Sequence, residues 1–489
     1  MVSNVGIVDR WRALWAAAPE AVVLVDQATG RDWRAGELES ATAWGAAYLH
    51  SLGIRSGASV ILSAAPSDAT ALAFIGLLRL GAVVVPVNTA ATPREIAHIS
   101  GVSGATHALS DEPERFTQMS SHSVTPLTIP GEAVDTSIEL DRTVSTDRAL
   151  ICFTSGTTGA PKGAPLTHGN LLAGTTALVE CWQWSADDVL VSALPMFHVH
   201  GLLVALAGTL TAGATIVVHH KFDANRLVDS ALTHHATLVF GVPTMWARLA
   251  DSGRLFELAH LRLAVSGSAP LAPTLFTTIH SATLSAPVER YGMTETMILT
   301  STPVGGIRRA GTVGRPLPGM SIRIADDGVV EVRGESVFGG YLTSAPTDPL
   351  LRSGFTDDGW FRTGDIGEWD GDDLRLVGRA SELIITGGYN VYPREVEDVL
   401  RTDVAIADAA VVGLADDTWG ETVAAFVVLE SEAVADAETL ERWESLCSEQ
   451  LAPYKRPRSF SVIDELPRNA MGKVKRDDLR ARGVVRSES

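Results

Sequence analysis

Short β-branched runs separated by helix-length stretches recur through the first three-quarters of this chain, and that alternation restricts the fold more than any single residue does. Examples are Ala58-Ser-Val-Ile-Leu-Ser63, Ala82-Val-Val-Val-Pro-Val87, Ala236-Thr-Leu-Val-Phe240 and Leu261-Arg-Leu-Ala-Val-Ser266. Such a pattern calls for α/β layers with largely parallel sheets. From about residue 320 to 377 the character changes. Ser321-Ile-Arg-Ile-Ala325, Val329-Val-Glu-Val-Arg333 and Leu374-Arg-Leu-Val377 are short alternating strands with Asp/Gly turns between them, as in a small antiparallel unit. After Gly378-Arg-Ala-Ser381 the pattern becomes that of a compact α+β module. Pro393 sits where a first helical turn starts, with Val396, Val399 and Leu400 following at helical spacing. Strands around Ala409–Val412 and Val423–Val428 precede a helix from about Ala437 to Leu451. At 489 residues the chain exceeds what one core usually supports. The expected division is a large N-terminal domain, 1–378, and a small C-terminal one, 379–489.

The apolar run Ala149-Leu-Ile-Cys-Phe153 reads as a buried strand and leads into Thr154-Ser-Gly-Thr-Thr-Gly-Ala-Pro-Lys-Gly163. Glycines let the backbone turn tightly and aim N–H groups at an anion. The hydroxyls add donors and Lys162 adds a positive charge, which suits a triphosphate. The familiar phosphate loop needs a Gly, four residues, then Gly-Lys-Ser/Thr. Here Gly159 and Lys162 are spaced differently and Gly163 follows the lysine, so that motif does not apply. A flexible Ser/Thr/Gly linker is the bland alternative.

Bulk properties exclude several classes. The formal net charge of −19 disfavours sequence-independent nucleic-acid binding. Cys152, Cys181 and Cys447 are scattered and odd in number, so neither a disulfide framework nor a metal cluster is implied, and a reducing cytoplasm fits. Asp9, Arg10 and Arg12 interrupt the N-terminus and disfavour a signal peptide. Gly201–Val218 is uncharged and about as long as a minimal membrane span. Gly208, Gly213 and the strand-like Ala214-Thr-Ile-Val-Val218 make a helix, a glycine turn and a buried strand the better reading.

Further motifs occur in a fixed order: Glu289-Arg-Tyr-Gly-Met-Thr-Glu295, Gly359-Trp-Phe-Arg-Thr-Gly-Asp365, Gly378-Arg-Ala-Ser-Glu-Leu-Ile-Ile-Thr-Gly-Gly-Tyr-Asn390 and Pro467-Arg-Asn-Ala-Met-Gly-Lys473. With the glycine-rich loop, this set resembles the adenylate-forming superfamily of acyl-CoA synthetases, adenylation domains and luciferases, over roughly residues 20 to 480. The resemblance implies two steps, formation of an acyl-adenylate from ATP and then displacement of AMP by a thiol. It implies that Thr154, Ser155, Gly156, Thr157, Thr158, Gly159 and Lys162 hold the β- and γ-phosphates. Thr294 would bond the α-phosphate, and Glu295 would bind Mg²⁺, a hard cation that favours oxygen. Tyr291, with Gly292 and Met293, would lie against adenine. Asp365 would accept from the ribose hydroxyls, with Arg379 nearby. Lys473 would be the catalytic lysine of adenylation, and His198 would join the catalytic group. Thr386, Gly387 and Gly388 would line a channel for the CoA arm. A hinge is implied at or beside Ser381, where many relatives carry Asp or Lys.

Which acid is activated rests on fewer residues. Arg290 borders the implied acyl pocket, and an arginine in a dry pocket is costly unless it meets an anion. Its planar fork suits a carboxylate. His200, Ser266, Ser268 and, more weakly, Arg248 are the candidate polar neighbours. The combination is similar to malonyl-CoA synthetases, which take a small dicarboxylate such as malonate or methylmalonate. A medium-chain fatty or aryl acid–CoA ligase, a stand-alone enzyme loading a carrier protein, and a catalytically dead ligand-binding protein stay open. So does the oligomeric state. The expected cofactors are ATP, Mg²⁺ and CoA.

Overall fold

The structure, a computed structural model, describes residues 5–116, 123–127, 138–154, 161–343, 350–416, 418–430, 433–468 and 473–483. The short apolar runs become parallel strands, as expected. One six-stranded sheet runs in the order Ser123–Pro126, His107–Ser110, Ser59–Ser63, Val83–Pro86, Arg148–Thr154, Lys162–Thr167. Its neighbours are parallel except for the last pair, an antiparallel hairpin. A nine-stranded sheet carries Val288–Met293, Leu263–Ser266, Leu238–Gly241, Val189–Ser192, Thr215–Val218 and Val22–Asp26 side by side and parallel. Antiparallel strands close both of its edges. A third, antiparallel sheet of Met320–Ile324, Val329–Gly334, Phe361–Asp370 and Asp373–Arg379 fulfils the expected small β unit.

One continuous apolar core joins these sheets and reaches from Ile7 to Leu374. A second core begins at Ile384 and belongs to the C-terminal sheet, whose long hairpin Ile406–Asp416/Gly420–Leu429 alternates its side chains between two faces. Val411, Val423 and Ala425 pack with Val396, Leu400 and Trp443 from helices Pro393–Leu400 and Ala437–Gln450. Val412, Ala424 and Phe426 pack on the other face with Leu466 and Leu479. Period-two alternation on one hairpin thus serves two apolar layers.

The uncharged stretch at Gly201–Val218 resolves as expected into helix, turn and strand. His200–Ala207 is a π-helix that continues as Gly208–Ala212, Gly213 caps it at φ +73°, and Thr215–Val218 is buried in the nine-stranded sheet. Among the described residues no helix is long and apolar enough to cross a membrane.

Candidate active site

The parallel strands of the large sheet end along one edge, the usual place for a ligand in such sheets. Their register pairs Gly241 with Ser266 and Ser266 with Glu289. Gly267 and Arg290, each one residue further on, therefore meet at that edge. Both are buried, and a Cβ on Gly267 would lie 2.4 Å from the Arg290 Cζ and Nε. The guanidinium lies directly across the glycine. His200 starts the π-helix, a rare form that recurs at functional sites. Its Nδ1 lies 3.2 Å from the Ser268 Oγ, and its ring lies 6.5 Å from that of Phe240 at an interplanar angle of 23°. Ser268 itself has φ +71°, an uncommon backbone for a residue with a Cβ.

The electrostatics of this cluster are unusual. Among the described residues, Arg290 Nε and Nη2, His200 Nε2, His198 Nε2 and Ser266 Oγ are buried with no hydrogen-bond partner. Buried polar atoms are ordinarily paired. Burial alone pulls the Arg290 pKa down to about 9, with no carboxylate offsetting it. Burial also drives His200 well below its usual range, and Arg290 and His198 reinforce that. His198 falls to about 4 through burial and the charge of Lys473. At neutral pH the cluster is one cation flanked by two neutral imidazoles and a hydroxyl.

A few residues away lies the expected nucleotide side. The strands Arg148–Thr154 and Lys162–Thr167, which flank the glycine-rich segment in the chain, pair antiparallel with Thr154 opposite Lys162. Ser155, Gly156, Thr157, Thr158 and Gly159 lie outside the described residues. The Glu289–Glu295 motif runs along the strand Val288–Met293 into a tight turn. Gly292 is obligatory there, because a Cβ would come within 1.9 Å of the Met297 carbonyl oxygen. The turn carries Thr294, half-buried, and Glu295, buried. Burial raises the Glu295 carboxyl, against the Tyr341 hydroxyl, which donates to its Oε1 at 2.7 Å. Tyr291, next to Gly292 and Met293, buries its ring and donates to Asp365 Oδ2 at 2.6 Å. Arg379 Nε reaches the other oxygen of Asp365 at 2.9 Å. A carboxylate has about four lone-pair sites, so Asp365 keeps acceptor capacity beyond Tyr291 and Arg379.

Lys473 comes from the C-terminal domain and reaches this same cleft. It is open to solvent on one side, yet its pKa is lowered, by the protein packed around it and then by Arg379, while Asp365, Glu295 and Glu382 pull the other way. The segment is anchored three residues on, where Arg476 binds Glu382 at 3.0 Å and Glu397 at 2.6 Å and donates to the Val411 carbonyl. Residues of five separate motifs thus share one cleft.

Other expected residues stay apart. Arg248 lies on the exposed side of the helix Pro243–Asp251, whose buried face is Met245, Trp246 and Leu249. Ser381 is exposed in the turn Ala380–Glu382 that follows the last strand of the antiparallel sheet. Thr386 is buried, and Gly387 and Gly388 form the turn of a C-terminal hairpin at φ +57° and +82°.

Sequence reasoning missed two residues here. Gly267 shows no signal beyond its place in Val265-Ser-Gly-Ser-Ala269, because its role depends on pairing with a strand 23 residues downstream. Tyr341 follows two glycines, which is a weak local cue, and its partner Glu295 is 46 positions away. Because the atoms crowding Gly267 are the far end of a flexible side chain, Gly267→Ala displaces the guanidinium without unfolding the protein. We expect KM for the acid to rise about 10²-fold, the order a ~1 Å misplacement costs, with KM for ATP and the melting temperature near wild type. Unchanged acid kinetics in steady-state assays would remove Gly267 from the site.

Residues 11–342 match the family described as AMP-binding enzyme, and residues 395–473 match the AMP-binding enzyme C-terminal domain. An indoleacetate–CoA ligase of Aromatoleum aromaticum is 39% identical over 347 residues, 68% of this chain and 66% of that ligase. A malonate–CoA ligase of Arabidopsis thaliana is 33% identical over 475 residues, 87% of this chain and 78% of that enzyme. The ATP-bound crystal structure of MatB from Rhodopseudomonas palustris superposes with a TM-score of 0.90 at 33% identity, covering 97% of this chain and 98% of that one.

Proposed function

The chain belongs to the AMP-binding enzyme family of adenylate-forming acid–CoA ligases, and we propose that the acid it activates is malonate or methylmalonate. ATP, Mg²⁺ and CoA are the cofactors of this enzyme class. The observation that carries the choice of acid is Arg290, buried with Nε and Nη2 unpartnered beside His200 Nε2 and Ser266 Oγ. One planar fork and two neutral polar groups fit the distal carboxylate of a short diacid. An aryl acid draws support from the indoleacetate relative, but it would leave the guanidinium buried without an anion, at a cost of several kcal/mol.

In this reading the distal carboxylate is clamped by Arg290 while the other carboxylate faces the α-phosphate. Little acid–base chemistry is needed, since negative charge accumulates and must be stabilised in place. Lys473, charged and held by the Arg476 anchor, lies between the two anions. Thr294 donates to the α-phosphate. Asp365 and Arg379 hold the ribose, Tyr291 braces the Asp365 carboxylate, and Thr154 through Lys162 hold the outer phosphates. Among the described residues no group of three metal-ligating side chains occurs. A lone buried carboxylate suits Mg²⁺, which keeps its waters and relies on substrate phosphates. When bound at Glu295, Mg²⁺ supplies charge neutralisation to those phosphates. His198 and His200, neutral by burial, donate or accept hydrogen bonds without adding charge. For the thioester step, the small domain swings about Ser381 and brings Thr386, Gly387 and Gly388 to the thiol arm. The unpaired cysteines 152, 181 and 447 support the cytoplasmic, reducing setting.

The test is ATP- and CoA-dependent AMP release against a panel of mono- and dicarboxylic acids. We expect kcat/KM for malonate or methylmalonate to exceed that for acetate, octanoate and indoleacetate by about 10⁴, as for a site built around one polar partner. Equal efficiency on octanoate would overturn the dicarboxylate reading.

A further inference from the structure

We propose that Tyr341 is a positioning residue that sets the Glu295 carboxylate for Mg²⁺ and couples it to Lys162 on the phosphate hairpin. The proposal rests on the reading of Glu295 as the metal carboxylate. The segment Phe338–Leu342 straps together two loops that the chain itself keeps far apart. At one end the Phe338 N–H donates to the Glu295 carbonyl at 2.8 Å. At the other, the Leu342 N–H donates to the Gly163 carbonyl at 2.8 Å, next to Lys162. Between them the Tyr341 hydroxyl donates to Glu295 Oε1 at 2.7 Å, and the Lys162 ammonium lies 5.2 Å from the centroid of the same ring.

The ring is fixed independently of either partner. Tyr341 exchanges both backbone hydrogen bonds with Leu351, at 2.9 and 2.8 Å, and its ring packs edge-on against Phe338 at 4.8 Å. One rigid side chain therefore presents a hydroxyl to the carboxylate and a π face to the cation. The hydroxyl commits one oxygen of Glu295 and so fixes the direction in which the carboxylate is offered. Partners that orient a metal ligand in this way typically contribute 10–100-fold to metal affinity. The ring adds a second role, since it gives Lys162 a fixed resting place before the outer phosphates arrive.

The two roles separate by substitution. ATP binding is measured by calorimetry on the full chain, without acid or CoA, while Mg²⁺ is titrated. Tyr341→Phe keeps the ring and removes the hydroxyl. We expect its half-saturating Mg²⁺ to rise about tenfold, with ATP affinity at saturating Mg²⁺ and the ligand-free melting temperature close to wild type. Tyr341→Leu removes the ring as well, and ATP affinity then falls even at saturating Mg²⁺. Glu295→Gln is the reference. If Glu295→Gln shifts the Mg²⁺ titration and Tyr341→Phe superimposes on wild type, Tyr341 only packs the strap and the proposal fails. If Glu295→Gln leaves the titration unmoved, the reading of Glu295 itself fails.

Discussion

Lys473→Ala is expected to abolish acyl-adenylate formation, by about 10³-fold or more, while leaving thioester formation from supplied malonyl-adenylate largely intact. The size follows from removing one preorganised charge at a centre where negative charge develops. The selectivity between half-reactions follows from where the lysine sits. Its charge is felt by His198 and tuned by Asp365, Glu295 and Arg379, all on the nucleotide side of the cleft, whereas Gly387 and Gly388 lie on a separate hairpin. Arg476 anchors this segment through Glu382, Glu397 and the Val411 carbonyl, so truncating Lys473 leaves the backbone path in place. Lys473→Arg keeps the charge but enlarges the head group, and we expect it to recover only part of the rate. Pyrophosphate release reports the first step, and thioester appearance from synthetic adenylate reports the second. Loss of both half-reactions in the alanine variant would overturn the assignment.

The second large effect concerns the acid. Arg290→Ala should lower kcat/KM on malonate by about 10⁴ and raise it on short monocarboxylates, since the site then lacks its partner for the second carboxylate. A stability effect of opposite sign should accompany it. In the ligand-free enzyme the guanidinium is buried without an anion, an arrangement that costs about 1–3 kcal/mol per unsatisfied group. Arg290→Met fills similar volume without that cost, so its ligand-free melting temperature should exceed that of the wild type. Malonate should raise the melting temperature of the wild type and not of the variant, because only a state that binds the anion gains from it. A variant destabilised in the absence of ligand, with malonate activity retained, would contradict both halves of the argument. The trade is the common one in which a functional site is tolerated at some expense of stability.

How much of this was legible beforehand depends on the range of the interaction concerned. The strands at residues 59–63, 83–86, 238–241 and 263–266, the antiparallel unit, the helix at 437–450 and the helix–turn–strand at 200–218 all follow from local composition and period. The glycine-rich loop and the ordered motifs point to Lys162, Glu295, Asp365, Arg379 and Lys473 through their resemblance to the adenylate-forming superfamily, which a few consecutive residues at each motif carry. For Arg248, helical phase decides which side of Pro243–Asp251 it occupies, and the buried face went to Met245, Trp246 and Leu249.

By itself, then, the sequence determined the layered α/β architecture, through periodicity, and the class of reaction, through the resemblance that its ordered short motifs carry. Only the tertiary structure decided that Arg290 is buried without a carboxylate among the described residues, that Gly267 is what makes room for it, and that Tyr341 joins Glu295 to Lys162. The reason is geometric. Neighbouring strands of a parallel sheet are separated in the chain by whole crossover helices, so their register, and with it the meeting of Ser266, Gly267 and Arg290 at one edge, is set by packing of the complete core.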